Sequence, residues 1–354
     1  MFKTIPCMMK LLLLKCSFMK TVTENLLKWY EKNGRDLPWR TKGGAHPSAY
    51  AVWVSEIMLQ QTTVKTVLPF FDRFIKRFST VESLANAPLS DVLMMWQGLG
   101  YYTRARKLHE AAKVVVEQYG GRFPANRAEL AKLPGIGAYT SASVAAFAFN
   151  LPESPVDGNV IRVVTRLNGW EEPTVSIMDK INACADELIK AASCPADYAS
   201  AIMDLGATVC TPKSPQCLLC PLRENCKAFK DGTADKIPVI VKLKRDARKG
   251  YVFLIKNAAG EFYIRTRSEK GLLHGLTEFP WNTDETLPFA ADWKITRKKV
   301  KHVFTHFDLT LTLVLLNADA VPVSADWNGQ FVRPEDFDDY PFSTLMKKVV
   351  AKIG

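Results

Sequence analysis

Cys210, Cys217, Cys220 and Cys226 follow one another as C-x6-C-x2-C-x5-C, close enough along the chain to converge on one small inorganic group. Zinc sites usually pair two C-x2-C knuckles. Here one such pair is flanked by two longer spacers, which suits a cuboidal iron–sulfur cluster held by four thiolates; a zinc loop is the alternative. Two carboxylates offer a different chemistry. Glu56 sits in the apolar stretch Tyr50–Leu59, where burial would raise its pKa and keep a proton available for general-acid work; an exposed helix face is the competing position. Asp157, in Val156-Asp157-Gly158-Asn159-Val160, precedes a helix running toward Arg166 and can cap it. An ionised Asp there could also stabilise a cationic sugar, and one neutral plus one charged carboxyl is a pairing that cleaves bonds at a sugar carbon.

A third constellation is structural in form. Asn126 can cap a short helix over Arg127–Lys132, after which Leu133-Pro134-Gly135-Ile136-Gly137 turns into an Ala/Ser-rich helix over Ala138–Phe149. The spacing predicts a helix–hairpin–helix. Gly135 and Gly137 permit positive φ and close backbone approach, so their amides and the new helix N-terminus could hold a phosphate.

The elements that carry these groups change character along the chain. From Thr23 to about Val209 the apolar periodicity is helical almost throughout. Residues 1–22 hold four lysines, no acid and a short leucine run, and read as a disordered extension. A Lys-, Arg- and Asp-rich linker is expected over 231–249. Tyr251–Lys256 and Glu261–Thr266 then flank Asn257-Ala258-Ala259-Gly260 as a hairpin, and Asp308–Leu313 alternates as a half-buried strand does. This divides 354 residues into a helical domain over 23–230 and an α+β domain over 250–354. The excess of 47 Lys+Arg over 36 Asp+Glu, a net charge of +11, favours a polyanionic partner. No apolar run approaches the length of a membrane span, so a membrane partner is not expected. Eight cysteines without a secretion signal point to metal or redox chemistry rather than disulfides.

Leu37-Pro38-Trp39-Arg40, Ser55–Thr62, Gly98-Leu99-Gly100-Tyr101-Tyr102, Leu133–Gly137, Val156–Val160 and the four cysteines together closely resemble the adenine DNA glycosylase family of the endonuclease III superfamily. The resemblance runs from about Thr23 to the C-terminus. It implies a mainly α, helix–hairpin–helix DNA glycosylase fold with a 4Fe-4S cluster loop, plus a C-terminal α+β Nudix-like domain. The implied substrate is double-stranded DNA with adenine opposite 8-oxoguanine or guanine, and the implied act is extrusion and release of the adenine. In that picture Glu56 protonates the base, Asp157 stabilises the sugar cation, Asn159 and Tyr139 line the reacting face, and Arg40 holds the extruded base. Gln61 and Tyr101 resemble the side chains that enter the base stack, with Leu99 and Thr62 beside the damaged guanine. As bare residues, Gln61 and Thr62 suit a polar helix face, and Leu99 and Tyr101 suit core packing.

Lyase members of the superfamily carry a lysine where this chain has Tyr139, and a phenol cannot form a Schiff base, so a monofunctional enzyme is expected. Phe304-Thr305-His306, flanked by His302 and Phe307, resembles the family's lesion-reading loop, with Thr305 where Ser is usual. The C-terminal region carries no Glu-rich metal box of the Nudix type. The expected state is a monomer, with a bacterial cytoplasm as the default compartment and a mitochondrial or nuclear one if the source is eukaryotic. Two rivals remain open: a bifunctional pyrimidine-lesion glycosylase, and an iron–sulfur DNA-binding protein without activity.

Overall fold

A computed structural model of the chain describes residues 7–41, 47–241, 245–269, 271–304, 306–322, 325 and 327–353, with side chains from residue 16 onward. The helices run α1 (Cys7–Asn33), α2 (Ala49–Leu59), α3 (Val64–Arg77), α4 (Val81–Ala85), α5 (Leu89–Met95), α6 (Thr103–Tyr119), α7 (Arg127–Leu130), α8 (Ala138–Phe149), α9 (Gly158–Asn168), α10 (Met178–Ala191), α11 (Pro195–Thr208) and α12 (Lys227–Lys230). Strands β1 (Asp246–Lys256), β2 (Phe262–Thr266), β3 (Thr277–Glu278), β4 (Lys294–Val303), β5 (Phe307–Asn317) and β6 (Gly329–Val332) follow, and α13 (Thr344–Ile353) closes the chain.

Two compact units emerge. The first comprises Met1–Val67, Phe78–Ala85 and Glu110–Lys242. Its central helices are apolar on every side: α2 buries Tyr50 and everything from Val52 to Met58, and α8 buries Thr140–Ala148. Such helices belong in the middle of a protein, and the small residues of α8 let α2 pack closely against it. The expectation of disorder over 1–22 is corrected for residues 7–22, because α1 begins at Cys7; residues 1–6 lie outside the described residues. Met19, Val22, Leu26 and Tyr30 are buried and recur at helical spacing, so the segment shares one apolar face with the helix that follows.

The second unit comprises Leu68–Arg77, Asn86–His109 and Leu243–Gly354. The sequence boundary at residue 250 therefore does not coincide with the compact units, since helical segments before residue 110 cluster with the sheet. The sheet order is β3-β2-β1-β5-β4, with β6 also pairing β2. The expected hairpin is present, antiparallel with Lys256 opposite Phe262. β5 runs parallel to β1, a long-range pairing that local patterning does not announce. One sheet face carries Val252, Leu254, Leu309 and Leu311, packed with Leu345, Met346 and Val349 of α13. Part of the expected linker is also ordered: Ile237 is buried, its carbonyl accepts from Arg166 Nε at 2.7 Å, and β1 starts at Asp246.

Candidate active site

In the first unit a cavity of about 790 Å3 has Glu56, Tyr139, Asp157, Asn159, Arg40, Gln61 and Thr62 on its walls. Glu56 comes from the buried helix α2 and is 5% exposed, so the exposed-face alternative is excluded. Burial pushes its carboxyl pKa up, and the charge of Asp157 acts in the same direction; hydrogen bonds from Tyr139 and Ser143 and the charge of Arg40 only partly oppose them. The Ser143 hydroxyl also reaches the Tyr139 carbonyl at 3.0 Å, one helical turn back along α8. Tyr139 is itself held protonated by burial and by the two nearby carboxylates.

Asp157 is the N-cap of α9. Its Oδ1 accepts from the backbone N–H groups of Asn159 and Val160, each at 2.8 Å, and its Oδ2 accepts from Asn159 Nδ2 at 2.8 Å. Three donors and the positive end of a helix dipole surround this carboxylate, whereas Glu56 is buried on α2 and its desolvation is only partly offset by the hydrogen bonds from Tyr139 and Ser143. The two acids thus share a cavity in opposite environments.

Three residues that the sequence did not single out hold this arrangement. Asp204, on α11 with no exposed surface, takes Arg35 Nη2 at 2.6 Å and Arg40 Nη1 at 2.7 Å. Burial works against its ionisation, but Arg40 and Arg35 outweigh it and bring its pKa below the ordinary value. Arg40 is thereby pinned at the cavity wall. Arg162, one turn into α9, donates from Nη2 to Asn159 Oδ1 at 2.7 Å and to the Gly206 carbonyl at 2.6 Å, and from Nε to the Cys210 carbonyl at 2.6 Å.

Arg166 continues the same helix toward the cysteines, with Nη1 3.3 Å from Cys210 Sγ. Cys210, Cys217, Cys220 and Cys226 line one small cavity of about 20 Å3 together with Arg166 and Arg223. Among the described residues, no group of three or more His, Cys, Asp or Glu is gathered as ligands of a single metal ion. Cys220 is pushed up to about 12, first by burial and then by the neighbouring thiols. Four cysteine sulfurs around one space, with a guanidinium beside them, fit a polynuclear cation that several sulfurs share. Lys213 and Arg223 of this loop are respectively exposed and partly exposed.

The hairpin forms as expected, with Asn126 accepting from the N–H groups of Ala128 and Glu129 at 2.8 and 3.1 Å. Gly135 has φ +74°. Gly137 does not, because it is the N-cap of α8 at φ −91°, and a side chain there would meet nothing within 4 Å. Its conformation therefore does not require glycine, which corrects that part of the expectation.

In the second unit Leu99, Tyr101 and Phe304 line a separate pocket of about 300 Å3 with His302 and Leu273. Leu99 is 8% exposed and packs as core, whereas Tyr101 is 47% exposed at φ +50°. In the first unit Gln61 is exposed at φ +64°. Left-handed backbone at non-glycine residues carries strain, and both candidates for entering the base stack carry it. Phe304 is half-buried against His302 and Phe307, with ring centroids 4.6 and 4.9 Å away, and His306 is exposed. Thr305 lies outside the described residues.

Residues 54–185 match the model of the HhH-GPD superfamily of base excision DNA repair proteins, and residues 251–352 match a NUDIX domain. These define the class: a helix–hairpin–helix base excision repair fold joined to a Nudix-like domain. An adenine DNA glycosylase of Buchnera aphidicola subsp. Schizaphis graminum is 36% identical, with 82% of this chain and 86% of that one covered. The adenine DNA glycosylase of Mus musculus is 33% identical, with 92% and 76% covered. Of the solved structures, that of a thermostable thymine-DNA glycosylase aligns with a TM-score of 0.54 and 29% identity, covering 61% of this chain and 98% of its own. A trapped endonuclease III–DNA covalent intermediate aligns with a TM-score of 0.50 at 23% identity over 61% of this chain and 98% of its own, a likeness of fold. The chain belongs to the adenine DNA glycosylase family.

Proposed function

We propose that this chain is a monofunctional adenine DNA glycosylase of base excision repair, hydrolysing the N-glycosidic bond of adenine opposite 8-oxoguanine or guanine in duplex DNA. The observation that carries the reading is the shared cavity of Glu56 and Asp157, one carboxyl buried and raised in pKa, the other capped by three donors. Glu56, still protonated, gives its proton to the adenine ring as the base departs. The Asp157 carboxylate faces the positive charge that grows on the sugar. Tyr139 orients Glu56 and, as a phenol, leaves the sugar to water. The cavity volume of about 790 Å3 accommodates an extruded nucleotide, with Arg40 at its wall.

Gln61 and Tyr101 are the residues assigned to the base stack, with Thr62 and Leu99 beside them; Phe304, Thr305 and His306 are assigned to the lesion. Gly135, Gly137 and the N-terminus of α8 are assigned to a backbone phosphate. Cys210, Cys217, Cys220 and Cys226 are assigned to a 4Fe-4S cluster, which would supply a rigid, redox-capable cross-link of the loop when bound. Arg166, 3.3 Å from Cys210 Sγ, would balance thiolate charge with the cluster bound, and Arg162 braces the Cys210 backbone.

The test is single-turnover adenine release from a duplex with one adenine opposite 8-oxoguanine, for wild type and Glu56→Gln at equal cluster content. Release by wild type that the variant loses, with binding kept, supports the reading. A wild-type enzyme that binds the mismatch and releases nothing overturns it.

A further inference from the structure

We infer that the exposed end of the C-terminal sheet is a second DNA-phosphate surface, built from Lys249 of β1 and from Lys299 and Lys301 of β4, with β5 between the two strands. The inference rests on the DNA-repair reading above and adds a contact surface that its catalytic cavity does not need.

The pairing register places these residues. Lys301 of β4 lies opposite Thr310 of β5, and Thr310 lies beside Lys249 of β1. One step along, Lys299 lies opposite Thr312, and Thr312 lies beside Tyr251. Side chains alternate across a strand, so both rows share one face, while Val300, Leu309 and Leu311 point to the core on the other. The result is a Lys–Thr–Lys row next to a Lys–Thr–Tyr row. Lys249, Lys299 and Lys301 are all exposed.

Charge balance argues that a partner completes this face. β4 reads Lys294-Ile295-Thr296-Arg297-Lys298-Lys299-Val300-Lys301-His302-Val303, with five cations and no acid. Among the described residues, none of those five nor Lys249 pairs with a carboxylate. Asp308, on the same face, meets Arg245 at 3.9 Å. The flanking lysines Lys298 and Lys348 donate their ammonium groups to backbone carbonyls, of Lys352 at 2.8 Å and Lys301 at 3.0 Å. Like charges gathered on one face without acidic partners repel, and a polyanion relieves that repulsion.

Lysines on an outer strand commonly block edge-to-edge pairing. That role needs cations on β4 alone, whereas the row continues two strands inward to Lys249. Exposed cations held in register by strand pairing, with the partly buried Thr310 between Lys301 and Lys249, suit contacts to duplex phosphates.

The experiment compares the full chain with the triple variant Lys249→Gln/Lys299→Gln/Lys301→Gln, measuring affinity for a short undamaged duplex against salt concentration. At about 0.9 per phosphate contact, loss of three contacts should flatten the log–log salt slope by about two to three units. The triple Lys→Arg variant keeps the charge and should keep the slope, which separates lost contacts from a damaged fold. A slope unchanged in the Gln variant overturns the inference. The same result with lost binding to polyglutamate overturns it in favour of an acidic protein partner. The readout needs no adenine release, so the surface can fail while the glycosylase reading stands, and the reverse.

Discussion

Arg40 Nη1 sits 2.7 Å from Oδ1 of Asp204, a carboxylate with no solvent exposure that also binds Arg35. Removing one partner of a buried ion pair strands the other. Asp204→Asn should therefore cost about 3 kcal/mol, the low end for a broken buried pair because Arg35 keeps some solvent contact. The Asp204 pKa is lowered in the folded state, so its contribution is present above the ordinary carboxylate range and is lost as pH falls through the lowered value. Chemical denaturation of both proteins should give a gap that closes toward acid pH; a gap independent of pH would refute the assignment.

The same substitution should alter catalysis. With Asp204 neutral, more of the Arg40 charge acts on Glu56 and favours its ionised form. The high-pH limb of single-turnover adenine release should then move toward lower pH, while Asp204→Glu should restore it in part.

Glu56 itself is a burden on the fold near neutral pH. Its pKa is raised by burial, so its contribution to stability is full below the unfolded carboxyl pKa and is lost as pH rises through the folded value. Glu56→Gln should raise Tm at neutral pH, with the difference shrinking below the ordinary carboxyl range, and should abolish adenine release. A variant less stable at every pH would contradict the burial argument.

Tyr139 offers a phenol where an amine would trap the sugar. Borohydride should yield little covalent enzyme–DNA product from wild type, and Tyr139→Phe should slow adenine release by about 10- to 100-fold through the lost hydrogen bond to Glu56. Efficient trapping by wild type would place the chain with the lyases instead.

Arg162 links Asn159 to the Cys210 carbonyl. Arg162→Lys keeps one charge but cannot reach three acceptors in a fork. It should lower both cluster absorbance per protein and the rate of adenine release, at about 1–3 kcal/mol for each buried acceptor left unpaired. Normal absorbance with a normal rate would remove Arg162 from the site.

Several features are legible in the sequence because they are local. The four-cysteine spacing, the Asn126 and Asp157 caps, the turn at Gly135 and the 257–260 hairpin are each set by a few consecutive residues whose backbone and hydrogen-bonding preferences act over one or two turns. Other features depend on what packs against what. The periodicity around Glu56 leaves its side undecided, and the packing of α8 over α2 decides it. Nothing near Asp204 in sequence announces Arg35 and Arg40, and nothing near Arg162 announces Cys210. The helix in 7–22 is hidden because the apolar face begun by Met19 and Val22 is completed only further along α1. The Lys249–Lys301 row exists only through the pairing of β1 and β4 with β5. Burial, charge pairing and strand register are properties of distant residues brought together, so the sequence determined which chemistry was available and the tertiary structure decided that Glu56 is buried and shares a cavity with the capping Asp157.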